Sequence, residues 1–250
     1  MDARSGATTR MSTRKLNTYL TDLRARTAAR VVALIAQALP WLIRRSLRRG
    51  LHGVYARGAW DALPKGGVLL AANHHSWWDP YLGWFLGQIL KRPLNGLMRP
   101  ETLARFPFFR GQGAISTTEV RGALRQLLKG EDLMIFPEGA LRAAGKVEAV
   151  EPGLSFLAAR ARVPVYPVAI RVAMRGAEHP EAFLLLGEAT PPENVEDALN
   201  TLLETLEAEL SAADPEAPLA GFVLWSGGAR STHERTAWVG MLGGRRADHG

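Results

Sequence analysis

Residues 67–81, GVLLAANHHSWWDPY, contain the pattern on which the fold prediction depends. A short apolar run, residues 68–72, follows two glycines and is typical of a buried strand. Asp79-Pro80 then marks a helix start, because aspartate can cap free N–H groups and proline suits the first helical position. The pattern predicts a strand, a corner and an apolar helix, with His74 at the end of the strand.

The spacing of His74 and Asp79 leads to the first chemical hypothesis. On one continuous helix, an imidazole and a carboxylate five residues apart would not share a face. Across a strand–loop–helix corner, the chain can fold back and bring them into contact. A carboxylate that binds one ring nitrogen fixes the tautomer and leaves the other nitrogen as a general base. The alternative is a structural loop histidine and an aspartate that only caps its helix.

The 250 residues suffice for one domain with an appendage, and their charge is unevenly distributed. Residues 1–60 hold 12 Lys and Arg and 2 Asp and Glu, a net charge of +10. The total is +7, so residues 61–250 carry −3. A nucleic-acid-binding protein is not indicated, since the basic excess lies on a lipid-like amphipathic segment and no recognised nucleic-acid module is present.

The sequence has no cysteine, which excludes disulfides, thiolate metal sites and a cysteine nucleophile, and suits a reducing compartment. No apolar run reaches the roughly 20 residues needed to span a bilayer. The longest candidate, residues 31–43, contains Gln37 and Pro40 and is closed by two arginines. No small-residue cleavage site follows it, so a secretory signal is not indicated.

The N-terminal segment is expected to bind membranes. Residues 1–13 are polar and are predicted to be disordered. Residues 14–52 predict a pair of basic amphipathic helices, broken at Pro40. Arginines that bracket an apolar stretch containing Trp41 suit a surface with anionic lipids. The alternative is a helical arm that packs on the body with its arginines in solvent.

Short apolar runs alternate with amphipathic segments through the rest of the chain. Strands are predicted at 94–98, 113–116, 133–136, 163–172 and 182–186, and helices at 120–128, 153–161 and from Asn194 onward. This alternation predicts an α/β fold, a single mixed-sheet domain with helices on both faces, over residues 53–226. Residues 227–250 are rich in glycine and arginine and are predicted to form a flexible tail.

A second motif, FPEG at residues 136–139, follows one of the predicted strands. A proline–acid–glycine turn in this position exposes one carboxylate and free backbone N–H groups, which suits the floor of a pocket. Taken alone, an ordinary turn with a solvated glutamate is the simpler interpretation.

Three motifs in this order resemble the glycerolipid acyltransferase family, typified by lysophosphatidic acid acyltransferase. They are NHxSxxD at 73–79, FPEG at 136–139 and VPVYPVAI at 163–170. The aromatic stretch PFFRGQGAIS, residues 107–116, lies where the family's second motif falls. The resemblance covers roughly residues 50–190, and the basic helix pair is similar to the family's N-terminal membrane-binding appendage.

The resemblance implies transfer of a fatty acyl group from acyl-CoA or acyl carrier protein to a hydroxyl of a lysophospholipid, with lysophosphatidic acid expected, in phospholipid biosynthesis. His74 would remove the hydroxyl proton, while Asp79 orients the imidazole and stabilises its positive charge. Direct attack needs no covalent enzyme intermediate, which agrees with the missing cysteine and the missing G-x-S-x-G serine. No metal and no cofactor besides the acyl donor is implied. The expected location is cytoplasmic, peripheral on the inner face of the cell membrane.

The resemblance also assigns substrate binding to Glu138 and Gly139 and to arginines that hold the acceptor phosphate. Both arginine positions differ here from the family: Glu119 stands near one, and the other arginine comes one residue late. The candidates to replace them are Arg110, Arg121 and Arg142, since a guanidinium group suits phosphate. The acceptor could equally be a different lysophospholipid, a glycolipid or another lipid alcohol.

Two other functions remain as alternatives. A hydrolase or thioesterase could use the same His–Asp pair to activate water, and would cleave acyl thioesters without an acceptor. A non-enzymatic lipid-binding protein is disfavoured because His74, Asp79 and Glu138 are all present.

Overall fold

The computed structural model describes residues 13–236, and the side chains within this range from Thr21 onward. The strands are β1 (Gly53–Arg57), β2 (Leu69–Ala72), β3 (Leu94–Met98), β4 (Ala114–Ser116), β5 (Asp132–Ile135), β6 (Val165–Ala173), β7 (Glu181–Leu186) and β8 (Val223–Gly227). The helices are α1 (Thr13–Gly50), α2 (Asp79–Leu90), α3 (Pro100–Arg105), α4 (Val120–Leu128), α5 (Gly153–Ala161) and α6 (Val195–Ala212).

These strands form one mixed sheet in the order β4-β3-β5-β2-β6-β7-β1-β8. The strands from β4 to β6 in this order are parallel, β7 is antiparallel to β6, β1 is parallel to β7, and β8 is antiparallel to β1. Because β5, β2 and β6 are adjacent and parallel, their carboxyl ends meet at one edge of the sheet. Sites in open α/β sheets lie at this edge.

Helices cover both faces of the sheet, as predicted. On one face, Leu47 of α1 and Leu86 of α2 pack with Leu70 of β2 in one buried cluster. On the other face, Leu69 of β2 belongs to a cluster built with α4, α5 and α6. Burial of β2 on both faces is the usual state of a central parallel strand. The predicted α/β class with a single mixed sheet is confirmed.

The N-terminal segment differs from the predicted pair of helices. α1 is one helix that continues through Pro40. Proline has no N–H to donate to the carbonyl four residues earlier, which is that of Ala36. Gln112 donates a hydrogen bond to this carbonyl from Nε2, at 2.9 Å. The prediction of a break was wrong because a residue distant in sequence supplies the donor that proline lacks.

Within Thr21–Gly50, the part of α1 whose side chains are described, only the C-terminal portion packs on the body. Leu39, Ile43 and Leu47 form a buried stripe, whereas residues 21–31 are all exposed. The part Thr21–Gly50 is long and apolar enough to cross a membrane, judged by length and composition. The helix therefore presents a largely uncovered apolar surface next to the sheet domain.

The C-terminal segment also differs from the prediction. β8 adds an edge strand beyond β1, and neither strand was predicted from the sequence. Residues 228–236, expected within a flexible tail, are bound to the body: Gly228 N–H donates to the His52 carbonyl and Ala229 N–H to the Leu51 carbonyl, each at 2.8 Å. The remaining predictions of disorder fall on residues 1–12 and 237–250, which lie outside the described residues.

Candidate active site

Asn73 fixes the point at which the chain leaves β2. Its side chain is fully buried and pairs with the backbone of Ile170 in β6. Asn73 Nδ2 donates to the Ile170 carbonyl at 3.0 Å, and the Ile170 N–H donates to Asn73 Oδ1 at 2.7 Å. Both polar groups of this buried amide are hydrogen-bonded, so the connection between the two segments is rigid. It locks the start of the His74 corner to the neighbouring strand.

The corner brings His74 and Asp79 together, as the strand–helix pattern predicts. His74 Nδ1 lies 2.9 Å from Asp79 Oδ2, and the same oxygen accepts the Ser76 N–H at 2.7 Å. A carboxylate only accepts, so Nδ1 carries the proton and Nε2 of the neutral ring has a free lone pair. Asp79 is 1% exposed and the His74 side chain 18% exposed, so the carboxylate is shielded from water while the imidazole stays accessible.

Asp79 is not the helix cap that the sequence predicts. It is the first residue of α2, after Trp78, and the start of α2 has no side-chain cap hydrogen bond. Its carboxylate instead accepts the N–H of Ser76, which precedes the helix. The capping prediction was wrong because the corner folds back before the helix begins. The carboxylate is thereby aimed at the imidazole.

Residues after β5 hold the backbone of His74 on both sides. Glu138 Oε1 accepts the His74 N–H at 2.7 Å, and the Arg142 N–H donates to the His74 carbonyl at 2.8 Å. The Phe136 ring stacks on the imidazole, with centroids 4.5 Å apart. The FPEG segment therefore sets the position of His74 through backbone hydrogen bonds and ring stacking.

Glu138 is a positioning residue in this structure, not an exposed carboxylate on a pocket floor. It is buried, and its second oxygen, Oε2, lies 3.5 Å from His75 Nε2. Gly139 is exposed, but its N–H already donates to the Phe136 carbonyl at 3.1 Å. Its φ of +67° is one that a side chain rarely adopts, so glycine suits the turn. The expected free carboxylate and free N–H are thus both taken within the chain.

A second histidine forms a network that sequence reasoning missed. His75 Nδ1 lies 2.9 Å from Arg171 Nη1, and Arg171 also pairs with Glu207. Because arginine only donates, Nδ1 is the acceptor and the ring proton lies on Nε2, which is 3.5 Å from Glu138 Oε2 and makes no hydrogen bond within the described residues. The signal in the sequence was Arg171 itself, since a charged residue inside a buried apolar strand needs a partner. His75 thus lies in contact with Glu138, which in turn accepts the His74 N–H.

The three candidate phosphate arginines occupy different places. Arg110 makes a two-pronged ion pair with Glu119, at 3.0 and 2.7 Å, and this hydrogen bonding lowers the pKa of the Glu119 carboxyl. Arg121 lines a groove between α4 and α5. Arg142 is exposed, and its backbone is bonded to His74. In the described part of the chain, only Arg142 of the three has a hydrogen bond with His74.

An apolar cavity of about 100 Å³ lies beside the His74 corner. Phe136, which stacks on His74, is one of its walls. Other walls come from α1, α2, β3 and β5, including Ile43, Tyr81, Trp84, Leu97 and Met134. Among residues 13–236, no group of three or more His, Cys, Asp or Glu could hold a metal ion. The edge of the sheet thus combines a base, a carboxylate and an apolar pocket.

Comparison with known proteins identifies the family of the central part of the chain. Residues 54–171 match the family model described as Acyltransferase. This range contains the His74–Asp79 corner, the FPEG turn and β6 as far as Arg171. Residues 54–171 therefore form an acyltransferase-family domain, and the resemblance drawn from the motifs is confirmed at the level of the family.

One similar solved structure is the crystal structure of the 1-acyl-sn-glycerophosphate (LPA) acyltransferase PlsC from Thermotoga maritima. It is 22% identical, with a TM-score of 0.48, and the match covers 76% of this chain and 84% of that chain. No curated protein matches the sequence.

Proposed function

We propose that this protein is a membrane-associated O-acyltransferase that moves a fatty acyl group from an acyl thioester to the hydroxyl of a lysophospholipid, lysophosphatidic acid being the expected acceptor. The carrying observation is the 2.9 Å contact between His74 Nδ1 and Asp79 Oδ2, within an acyltransferase-family domain. It leaves Nε2 of His74 as the base. Acyl-CoA or acyl carrier protein serves as co-substrate, and the proposed step uses no cofactor.

In the proposed step, His74 Nε2 takes the proton of the acceptor hydroxyl as its oxygen attacks the thioester carbonyl. Asp79 stabilises the imidazolium that forms and keeps the ring from turning. The tetrahedral intermediate then collapses, the carbon–sulfur bond breaks, and the imidazolium returns its proton to the leaving thiolate. The products are an ester and a free thiol, and His74 is neutral again.

The surroundings of His74 support a lipid substrate carrying phosphate. The apolar cavity next to Phe136 offers a dry wall for the acyl chain close to the thioester carbon. Arg142 has no ion-pair partner in residues 21–236, and its backbone is bonded to His74. Arg110, by contrast, is already paired with Glu119. We therefore assign the acceptor phosphate to Arg142.

The proposed location is the cytoplasmic surface of the inner cell membrane. α1 supports it, because Leu34, Trp41 and Leu42 are exposed on a helix that also carries arginines. Apolar side chains with flanking arginines suit a helix lying at a lipid interface. The cavity wall at Ile43 belongs to the same helix. An acyl chain could then reach the pocket from the bilayer without crossing water.

The test offers radiolabelled acyl-CoA to purified protein on vesicles, with lysophosphatidic acid, other lysophospholipids and a glycolipid in parallel. We expect label in phosphatidic acid, and no transfer by His74→Ala. His233→Ala is the matched control, because His233 is exposed and outside the site. Repeating the assay with acyl carrier protein identifies the donor.

Each other outcome would contradict a stated part of the proposal. Label in a glycolipid alone would refute the phosphate acceptor, and free fatty acid without any acceptor product would favour the hydrolase. Full acyl transfer by a folded His74→Ala protein would refute the proposed mechanism, in which His74 is the base.

A further inference from the structure

A large open basin lies where the C-terminal end of α1 meets the edge of the sheet. Its volume is about 940 Å³. Five of the residues that line it are arginines: Arg44, Arg45, Arg48, Arg49 and Arg230. The first four belong to α1, and the fifth follows β8. We call this surface the arginine basin.

The positive charge of the arginine basin is not neutralised by the protein. None of its lining residues is acidic. Arg48, Arg49 and Arg230 have no ion-pair partner within residues 21–236, while Arg45 lies over the Trp41 ring at 5.2 Å from the centroid. Planar guanidinium groups that line one basin without a carboxylate suit phosphate oxygens. The basin therefore fits a phosphate-bearing ligand.

β8 forms one wall of the basin, and packing and hydrogen bonds fix this strand to the body of the protein. Trp225 packs edge-on against the buried Trp60, with ring centroids 5.3 Å apart. Two residues beyond β8, Ala229 N–H is bonded to the Leu51 carbonyl at 2.8 Å. Arg230 is thus held opposite the arginines of α1 by the fold.

The surface around the basin indicates that the phosphate belongs to a membrane lipid. Trp41, which lines the basin, is 60% exposed, and Leu34 and Leu42 on the same helix are also exposed. Val223 and Leu224, which precede the basin-lining Trp225 on the edge strand, are exposed too. Apolar groups beside arginines match a bilayer surface, where acyl chains lie next to phosphates. A free phosphate would leave these apolar groups in water.

We propose that the arginine basin binds the phosphate headgroup of an anionic membrane lipid, so that β8 and Arg230 form the docking surface together with α1. This rests on the proposed membrane association, and adds to it a specific headgroup site with a C-terminal contribution. The basin lies on the α1 face of the sheet, which is also the face of the acyl cavity. Headgroup binding would therefore orient the protein so that the acyl cavity faces the bilayer.

The experiment compares vesicle binding by the full chain and three variants: Arg230→Ala, Arg48→Ala with Arg49→Ala, and Arg125→Ala with Arg160→Ala. The last pair is the matched control, because Arg125 and Arg160 are exposed on α4 and α5, across the sheet. On phosphatidylcholine vesicles with phosphatidic acid, each arginine near the surface contributes a factor of about five. We expect a loss of about fivefold for Arg230→Ala, about 25-fold for the α1 pair, and less than about twofold for the control.

A second comparison tests recognition of phosphate as opposed to charge alone. Vesicles containing oleate at the same surface charge should bind the full chain more weakly than vesicles with phosphatidic acid. Equal binding to both would overturn the headgroup site. Loss in the α1 pair with no loss in Arg230→Ala would also overturn it, while leaving α1 as the membrane anchor.

Acyl transfer is measured in detergent micelles for the same variants. The basin residues lie outside the His74 corner, so we expect transfer in micelles to be unchanged. A failure of the proposed function would appear as no transfer by the full chain in any condition. A failure of the basin would appear only in vesicle binding.

Discussion

Gln112 donates a hydrogen bond from Nε2 to the carbonyl oxygen of Ala36 at 2.9 Å, and this is the carbonyl that Pro40 leaves without a helical donor. The other end of the same amide, Oε1, accepts the Trp84 Nε1–H at 3.1 Å. One side chain therefore joins α1 to α2 beside the apolar cavity. With this donor in place, α1 remains helical at Pro40 and still lines the pocket.

Replacing Gln112 by leucine should destabilise this junction. The Ala36 carbonyl and the Trp84 indole N–H would each lose a partner, at about 1–3 kcal/mol for a buried group, and less here because both groups are partly exposed. Urea unfolding measures the loss. Gln37→Leu is the control, since Gln37 is exposed on the same helix. Pro40→Ala restores an N–H for Ala36, so it should recover part of the stability lost in Gln112→Leu.

Asp79→Asn should reduce acyl transfer without unfolding the protein. The amide cannot hold the Nδ1–H tautomer of His74 or stabilise the imidazolium. A comparable change in a Ser-His-Asp triad lowers kcat by about 10⁴. We expect a fall of about two to four orders of magnitude in kcat, with Asp61→Asn, an exposed aspartate, as the unaffected control. Activity close to that of the full chain would refute the His–Asp pair.

His75→Leu should lower kcat more than it raises either KM. Leucine leaves Glu138 Oε2 and Arg171 Nη1 without the imidazole, so Glu138 no longer holds the His74 N–H at 2.7 Å as firmly. We expect kcat to fall by about tenfold or more, because a small displacement of the base is sufficient. His75→Gln should recover part of it.

A merely structural role for His75 would leave the His74 amide unchanged. Hydrogen exchange of that amide is therefore measured in parallel. We expect faster exchange in His75→Leu and no change in His233→Leu. Lower kcat with an unchanged His74 amide would contradict the positioning role.

Arg142→Ala should raise the KM for a phosphate-bearing acceptor by about 10- to 100-fold, the size of a hydrogen bond to a charged group. A neutral acceptor such as a monoacylglycerol should be unaffected. Arg110→Ala provides the comparison, because Arg110 is paired with Glu119, and a change of less than about threefold is expected for an exposed pair. A larger effect from Arg110→Ala would indicate that the acceptor phosphate binds at Arg110, in the loop before β4, and would contradict its assignment to Arg142.

Docking of residues 228–236 should depend on pH through His52. Its Nδ1 lies 3.2 Å from Glu181 and its Nε2 3.2 Å from Glu234. Burial lowers the pKa of His52, but hydrogen bonds to Glu234 and Glu181 outweigh it and raise the pKa above 6.5. The stabilisation is therefore complete below about pH 6.5 and is lost as pH rises through the raised value.

Hydrogen exchange at Gly228 and Ala229 measures this docking. Protection should be constant below about pH 6.5 and decrease as the pH rises through the raised pKa of His52 in the full chain, and should not change with pH in His52→Gln. Arg175 also pairs with Glu181. Burial and Glu181 raise the pKa of Tyr55 to about 12, so Tyr55 does not change charge in this window. A pH-independent full chain would contradict the role of His52.

Several parts of the molecule could be predicted from the sequence because they depend on neighbouring residues. The apolar run 68–72 and the Asp79-Pro80 pair are local signals, so the strand and the helix of the corner follow from propensity and backbone geometry. The contact of His74 with Asp79 also follows, since a strand–helix corner leaves few paths for five residues. The order of the three motifs NHxSxxD, FPEG and VPVYPVAI was sufficient to predict the family that residues 54–171 match.

Other parts were decided only when distant segments met. The break expected at Pro40 is absent because Gln112, far along the chain, supplies a donor. Glu138 is buried under the His74 N–H because β5 lies next to β2, and that register is set by the whole sheet. The basin likewise depends on β8 returning Arg230 to α1. Local sequence specifies which elements form, whereas the packing of the sheet determines which polar groups find partners.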